Sequence, residues 1–516
     1  VAALAARHEA LGLSFDEDGQ QQRLGESEVT LVEVDHRHLD ADAAEAAWKS
    51  WREAEAAHRF DLARPALLRL HLFRLGERRY RLGITANQIV LDGWSLGLLV
   101  RELVSLYNAP VGEAPDATLA PPPSYGAYLQ RQLARREGAE AQRARDFWTT
   151  TFAGELPVLS LPLPRARPAL QSYGAETIAF RLSPERTSTL RRLARSLSAT
   201  PFMVLLAAHA ITLRRFTGQD DLVIGTPVAV RDGETDDALV GYATNLVPIR
   251  CRLDAGMRGV DVISTVRRQL LSSFEHQWYP FGDLLEQLDL ERDLSRPPLV
   301  GTTFTLDRPA PVPGLAGASA RLCPMPFACV PFDLTLSAIE DGDELIFYLV
   351  YNRDVLESRV AADFLDHYER LLDALAGSPE RSVASLCSLA PAVAERMLVE
   401  WNQTRVETPP GDTVLGRIAQ ALARRPDAIV AEEARAPDAS TTAITQLSAR
   451  QLDQRSAAAA RSLREAGVGA ETPVALLAHR DLEFWVVMLG ILRAGGAYLP
   501  VDPGLPAERV AQVLEE

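Results

Sequence analysis

Thr200-Pro201-Phe202-Met203-Val204-Leu205-Leu206, then Thr217-Gly218-Gln219-Asp220-Asp221, then Ile224-Gly225-Thr226-Pro227-Val228-Ala229 and Arg231 form the passage from which the architecture is read. Residues 201–216 are strongly apolar and read as a helix, and residues 221–226 read as a strand. Working backward, residues 183–198 read as a helix and 176–182 as a strand. Working forward, strands are expected at 300–306, 333–339 and 344–351, and a helix at about 358–377. The N-terminal third repeats the mixture. Residues 1–11 place Leu4, His8 and Leu11 at helical spacing. A strand follows at 29–34, an Ala-rich helix at 40–58, and a hairpin at 67–74 and 80–85 around Gly76. Residues 86–95 read as a loop, 95–107 as a helix, and 125–152 as one long charged helix ending near Trp148. The two halves each have a sheet and covering helices, so the fold class is α/β (α+β) in two lobes.

Length and composition bound the function. The chain has 516 residues, and at about 150 residues per domain this means three or four folding units. Hydrophobic residues make up 47% and charged residues 24%, an ordinary soluble balance. The formal net charge of -15 argues against a nucleic-acid partner, which would require a basic face. Four cysteines, Cys251, Cys323, Cys329 and Cys387, form no CxxC pair and have metal-ligand spacing with no histidine. Neither a metal site nor a disulfide framework is expected, and scattered reduced thiols fit a cytoplasmic protein. No apolar run of about 18 residues is present, so no membrane span is expected. The chain lacks an initiator Met and opens within a helical pattern, which reads as a piece of something longer. Pro-rich stretches at 109–124 and 156–168 read as connections. The boundaries expected are a first lobe at 1–155, a second at 156–385, a linker at 386–410 carrying Pro391, Pro409 and Pro410, and a further segment at 411–516.

The opening passage resembles the middle region of condensation domains of nonribosomal peptide synthetases. Four further blocks agree in order. Arg7-His8-Glu9-Ala10-Leu11 resembles the family's Arg-His-Glu-x-Leu, and Gly241-Tyr242-Ala243-Thr244-Asn245 its Gly-x-Phe-Val-Asn. His276-Gln277-Trp278-Tyr279-Pro280-Phe281 is similar to His-Gln-x-Tyr-Pro-Phe. Arg292-Asp293-Leu294-Ser295-Arg296 with Pro298-Leu299 is similar to Arg-Asp-x-Ser-Arg-x-Pro-Leu. Each block alone is weak, but their order is specific. Beyond the linker, Leu398-Val399-Glu400-Trp401-Asn402-Gln403-Thr404 resembles the junction that precedes adenylation domains. The run from Leu492 to Asp502 is similar to the adenylation motif Leu-Lys-Ala-Gly-Gly-Ala-Tyr-Leu-Pro-Val-Asp. Gly495 and Gly496 lack the Gly-x-x-x-x-Gly-Lys pattern of a phosphate loop and read as a tight turn.

The resemblance implies two chloramphenicol-acetyltransferase-like lobes in a V, with a tunnel between them. Donor and acceptor peptidyl carrier proteins would dock at its ends and insert phosphopantetheine arms, and the acceptor amine would attack the donor thioester to form an amide. The domain itself would bind no cofactor. The 411–516 segment would be the N-terminal fragment of an adenylation domain, whose ATP site lies further on and is not included.

The family's signature is His-His-x-x-x-Asp-Gly, whose second His stands at the tunnel centre. An imidazole with a pKa near 6.5 can accept a proton at neutral pH or orient the amine. The matching segment here is Asn87-Gln88-Ile89-Val90-Leu91-Asp92-Gly93-Trp94-Ser95. Both histidines are replaced, and none of the nine histidines lies close in sequence. Gln88 cannot titrate, but its amide can hold an amine in place. Gln88, Asn87 and Asp92 are the candidate catalytic residues. Gly93, Arg7, Ser95 and Asn245 are expected to hold the site's shape. Asp92 reads first as a buried carboxylate paired with an arginine, for which the family implies Arg7, and second as catalytic. Ser95 reads as the cap of the helix after it. Asn245 reads as bonding the backbone near the tunnel or as purely structural, and His276 as a packing or loop residue. Gly12 stands where the family usually has a second Arg.

Three readings follow for the condensation-type domain. It has a degenerate site and serves as a spacer or docking platform; it condenses by positioning alone, because a thioester is already activated; or it forms heterocycles. Heterocyclization domains carry Asp-x-x-x-x-Asp-x-x-Ser here, and Asn87, Asp92 and Ser95 fall at that spacing, with Leu156-Pro157 and Leu161-Pro162-Leu163 resembling their proline-leucine block. A stand-alone acyltransferase shares the lobe fold, but the attached adenylation segment argues against it.

Overall fold

The computed structural model describes residues 1–516 except 17–20, 24–25, 111–118, 164–165, 289, 292, 309–313, 322–326, 388, 390, 408, 410, 412, 439–440 and 516. Arg292 of the Arg-Asp block, Cys323, Pro410 and part of the 109–124 connection therefore lie outside the described residues. The chain divides into two compact units, Val1–Pro391 and Ala392–Glu516, and the division falls inside the linker expected at 386–410.

The helix expected at 201–216 is Pro201–Thr217. Thr200 opens it, accepting from Met203 N at 3.3 Å, with Pro201 in the first turn. Gly218 ends it in the left-handed conformation at φ 70°. Every residue from Met203 to Leu213 is buried, because this helix is packed on all sides by the sheet and the other helices of its half. Each fully buried Leu or Ile there contributes on the order of 2 kcal/mol.

The sheet it packs against has six strands. In spatial order these are Ala175–Leu182, Glu344–Asn352, Leu334–Asp341, Thr302–Asp307, Asp221–Ala229 and Thr244–Arg252. The two central pairings are parallel and the outer ones antiparallel. Five of these strands match the expected ones. The strand Thr244–Arg252 and the helix Gly259–Glu275 lie where the sequence shows only a motif and intervening residues. Ser358–Gly377 forms the expected helix and buries Phe364, Tyr368 and Leu372 in the same core.

The first half carries a three-stranded sheet in which Leu31–Asp35 runs parallel to Leu68–Arg74, and that strand pairs antiparallel with Tyr80–Ala86. The helix Ala41–Ala56 sets the stacked rings of Trp48 and Trp51 edge-on against Phe73 of this sheet. The single helix expected at 125–152 is two, Tyr125–Arg135 and Ala139–Thr151, separated at Gly138, whose extended backbone starts the second. The cause is packing. Tyr125 and Tyr128 belong to the core of the first half, whereas Ala141, Ala144, Trp148 and Phe152 belong to the core of the second. One straight helix cannot aim both stripes. The second core thus begins before residue 155, and in return Leu239, Val240 and Ala243 sit in the first core.

The second unit contains an antiparallel pair, Ile429–Asp438 with Thr441–Ser448. It also contains a parallel pair, Pro473–Leu477 with Ala497–Val501, connected through the helix Leu482–Ala494. That helix ends at Gly495, with φ 98°. A Cβ on Gly496 would stand 2.9 Å from the carbonyl oxygen of Thr472. The Gly-Gly pair is a tight turn, as expected.

Among the described residues no single helix is long and apolar enough to cross a membrane.

Candidate active site

The strand Tyr80–Ala86 ends in the loop that carries the altered motif, and the helix Gly93–Asn108 begins directly after it. Val90 and Leu91 are buried in the first core and pin the loop. Asn87 is half-buried. Its Oδ1 accepts from Ile89 N at 3.0 Å, and its own N–H donates to Leu67 O at 2.9 Å. This is a side-chain-closed turn of the kind Asn favours. Gln88 is exposed, and among the described residues its amide has no hydrogen-bond partner.

Asp92 is the opposite case. It is 3% exposed and caps the helix by accepting from Ser95 N at 2.8 Å. Arg231 Nη2 donates to both carboxylate oxygens, at 2.9 and 2.8 Å. Ala243 N and Thr244 Oγ1 donate to Oδ2 at 3.1 and 3.3 Å. The same guanidinium donates to Ser95 Oγ at 3.2 Å and through Nη1 to Leu239 O at 2.8 Å. Ser95 Oγ donates to Gly241 O and accepts from Gly241 N, at 2.8 and 3.1 Å. The ring of Trp94 lies 5.8 Å from the Arg231 guanidinium carbon, and its Nε1 donates to Asp237 O at 3.0 Å. Asp92 and Arg231 form a buried ion pair, hydrogen-bonded at both carboxylate oxygens and both Nη atoms though not at Arg231 Nε, that braces the two halves of the unit.

Two expectations are corrected here. Arg7 is not the partner of Asp92. Its Nε lies 3.5 Å from Glu102 Oε2, and its Nη2 donates to Ala120 O at 2.7 Å. The partner is Arg231, 139 residues away in sequence, which is invisible to any local reading. Ser95 does not cap the helix. Asp92 does, while the Ser95 hydroxyl ties the helix start to Gly241. Gly93 is exposed, and a Cβ added to it meets nothing within 4 Å, so sterics do not require glycine there.

Gly241 does need to be glycine. A Cβ there would stand 2.3 Å from the ring of Tyr125, whose hydroxyl donates to Tyr242 O at 3.1 Å. Burial pushes the Tyr125 phenol up to about 12, so it remains a neutral donor. Asn245 then links the Gly241–Asn245 block to the His276–Phe281 block. Its Nδ2 donates to Gln277 O and Tyr279 O, both at 2.7 Å, and its Oδ1 accepts from Phe281 N at 3.1 Å. It is a backbone clamp. His276 stacks on Phe147 with ring centroids 4.4 Å apart, and burial lowers its pKa, in keeping with packing. His8 is buried against Glu102 at 2.8 Å. Three sequence blocks, 87–95, 241–245 and 276–281, thus converge mainly through side-chain-to-backbone hydrogen bonds, with Arg231 pairing to Asp92 from outside them.

The geometry does not favour heterocyclization. The side chains of Asn87, Asp92 and Ser95, which match that spacing, are all hydrogen-bonded within the protein.

The Condensation domain family model matches residues 1–398, and the AMP-binding enzyme model matches residues 418–516. Tyrocidine synthase 3 of Brevibacillus parabrevis is 32% identical over all of this chain, which covers 8% of its length. Phosphinothricin tripeptide synthetase PhsB of Streptomyces viridochromogenes is 34% identical, again over all of this chain, which covers 44% of its length. The chain therefore spans less than half of either relative. Among solved structures, the four-domain nonribosomal peptide synthetase holo-AB3403 superimposes with a TM-score of 0.77 at 23% identity, covering 99% of this chain and 39% of its own. That likeness speaks to fold. The X-domain from teicoplanin biosynthesis, solved in complex with OxyB, gives a TM-score of 0.64 at 27% identity, covering 75% of this chain and 87% of its own. The chain belongs to the condensation domain family of nonribosomal peptide synthetases and continues into the N-terminal part of an AMP-binding, adenylation-type domain.

Proposed function

We propose that this condensation domain no longer forms peptide bonds efficiently and serves as a docking platform within a cytoplasmic assembly line. The observation that carries the reading is the contrast at the motif. The position of the second histidine holds Gln88, exposed and unable to titrate, while the Asp92 carboxylate is enclosed by Arg231, Ser95, Ala243 and Thr244. The loop keeps its structure and has lost its proton acceptor. The partners are an upstream donor carrier and a downstream acceptor carrier, each presenting its substrate on a phosphopantetheine arm, together with the rest of the adenylation domain. A platform role also accords with the X-domain relative, which was solved in complex with OxyB.

A second reading rests on the same glutamine. Its amide is uncommitted, so it can hydrogen-bond an acceptor amine and leave catalysis to positioning. Intact-protein mass spectrometry of loaded donor and acceptor carriers separates the two. The unmodified protein is expected to give no product above background. Gln88→His, which leaves the Asn87 turn intact, and the Asn87→His/Gln88→His double variant are expected to gain about 10²- to 10⁴-fold, the usual contribution of a placed general base. Product from the unmodified protein sinks the platform reading. If Gln88→Ala then lowers that product, positioning by the amide is established.

A further inference from the structure

The helix Pro184–Ser196 of the second half shares no residue with the brace. It buries Leu190, Leu193 and Ala194. Its opposite face carries Ser188, Arg191, Arg192 and Arg195, spaced i, i+3, i+4 and i+7. This face and the turn between Leu334–Asp341 and Glu344–Asn352 enclose a concavity of about 550 Å³, within the range of small-molecule sites. The helix has four arginines. Arg186 is committed to Glu369 and Asp373, at 2.6 and 2.8 Å. Arg191 lies 3.6 Å from Glu340 and 3.9 Å from Asp343. The other two are unmatched. Arg192 donates to the Ser188 hydroxyl at 3.0 Å and the Thr189 hydroxyl at 2.8 Å, and it meets no carboxylate among the described residues. The Arg195 guanidinium is exposed and has no partner among them. Thr189 Oγ1 gives its own proton to Glu185 O at 2.9 Å, whereas the Ser188 hydroxyl proton has no acceptor among the described residues. In a chain of net charge -15, two unmatched guanidiniums beside a free hydroxyl donor reverse the local sign.

We infer that this concavity binds a phosphate monoester of a small polyol, with the phosphate between Arg192, Arg195 and Ser188 and the hydroxyl groups toward Glu185. Two guanidinium forks about one helical turn apart suit a tetrahedral dianion, whereas a carboxylate is satisfied by one arginine alone. The rest of the lining decides what the phosphate is attached to. Apart from Pro184, every residue around the concavity is polar or charged, so it offers no wall to a lipid tail or an aromatic base. Glu185 lines it two turns before Arg192, about 10 Å along the helix axis. A carboxylate there repels a second phosphate and accepts from hydroxyl groups.

The test uses the whole 516-residue chain and three probes: glucose phosphorylated on its primary hydroxyl, inorganic phosphate, and glucose itself. Binding is read by isothermal titration calorimetry, with ligand-observed phosphorus and proton NMR for weak cases. The sugar phosphate is expected to bind several-fold more tightly than inorganic phosphate, and glucose not to bind up to millimolar concentration. Arg192→Gln and Arg195→Gln should each weaken both phosphate-bearing probes by about tenfold. Glu185→Ala should remove the preference for the sugar phosphate over inorganic phosphate. Arg79→Gln, on the hairpin of the first half, should change neither. All four positions are exposed, so the variants keep the fold. The proposal fails if neither phosphate-bearing probe binds up to millimolar concentration, or if glucose binds as tightly as its phosphate. It also fails if either arginine variant binds like the unmodified protein, or if Glu185→Ala keeps the preference. Equal weakening by Arg79→Gln would mean diffuse attraction to surface charge and would overturn it too. None of these readouts involves a carrier protein, so they stand apart from the fate of the platform reading.

Discussion

Gln88 and Asp92 share one loop, four residues apart, in opposite environments. Asp92 is buried, paired with Arg231 from the other half of the unit, and bonded to Ser95, Ala243 and Thr244. Gln88 faces solvent. Asn87 lies between the extremes, half-buried, its side chain closing its own turn and its N–H bonded to Leu67 O. One loop therefore holds a structural half and a chemical half. The structural half resists substitution because removing either partner of a buried, hydrogen-bonded ion pair leaves a charge without compensation. Gln88 can change at little cost to the fold, since its side chain is exposed, and Asn87 at the cost of one turn hydrogen bond. Loss of both histidines beside retention of Asp92 is what this division permits.

The comparison breaks first at Asp92. Asp92→Asn leaves Arg231 buried beside a neutral group and should lower stability by about 3–5 kcal/mol in chemical denaturation. A loss below about 1 kcal/mol would mean that the brace is not what joins the halves. The next effect comes from elsewhere in the fold. His209 is fully enclosed, with Nε2 3.1 Å from Thr302 Oγ1, and burial lowers its pKa from 6.5 to about 3. The unfolded chain takes up its proton near 6.5, whereas the folded one resists until about 3. Stability is therefore full above pH 6.5 and falls as the pH drops through that window, by about 2 kcal/mol at pH 5. His209→Leu should remove its share of this dependence and leave that of His367, whose pKa burial lowers to about 4, while Gln88→Ala, in a loop with no titrating imidazole, should leave the whole dependence as it is. A smaller loss, about 1 kcal/mol, is expected for Asn87→Ala, which opens the turn to Ile89. The smallest belongs to Gln88→Ala, within about 0.5 kcal/mol of the unmodified protein by thermal or chemical unfolding. A larger value there would show that Gln88 supports the fold and would erase the contrast.

Much of the architecture was legible because it is written locally. The apolar helix Pro201–Thr217, the hairpin at 68–86 and the strands at 334–341 and 344–352 announce themselves through pattern and punctuation. The helix read as continuous over 125–152 was not legible in the same way. Its break at Gly138 depends on two cores pulling its apolar stripes in different directions, and neither core exists until the chain has folded. The strand Thr244–Arg252 went unread because its first residues resemble a motif before they resemble a strand.

The sequence by itself determined the family, the replacement of both motif histidines by Asn87 and Gln88, and the presence of an adenylation-type segment after the linker. These are properties of residue identity and order. Only the tertiary structure decided that Arg231 rather than Arg7 pairs with Asp92, that Asp92 rather than Ser95 caps the helix, and that Asn245 clamps the 277–281 backbone. Each of these choices is a competition among polar groups for a few buried partners. It is settled by which groups the cores bring within hydrogen-bond distance once water is excluded.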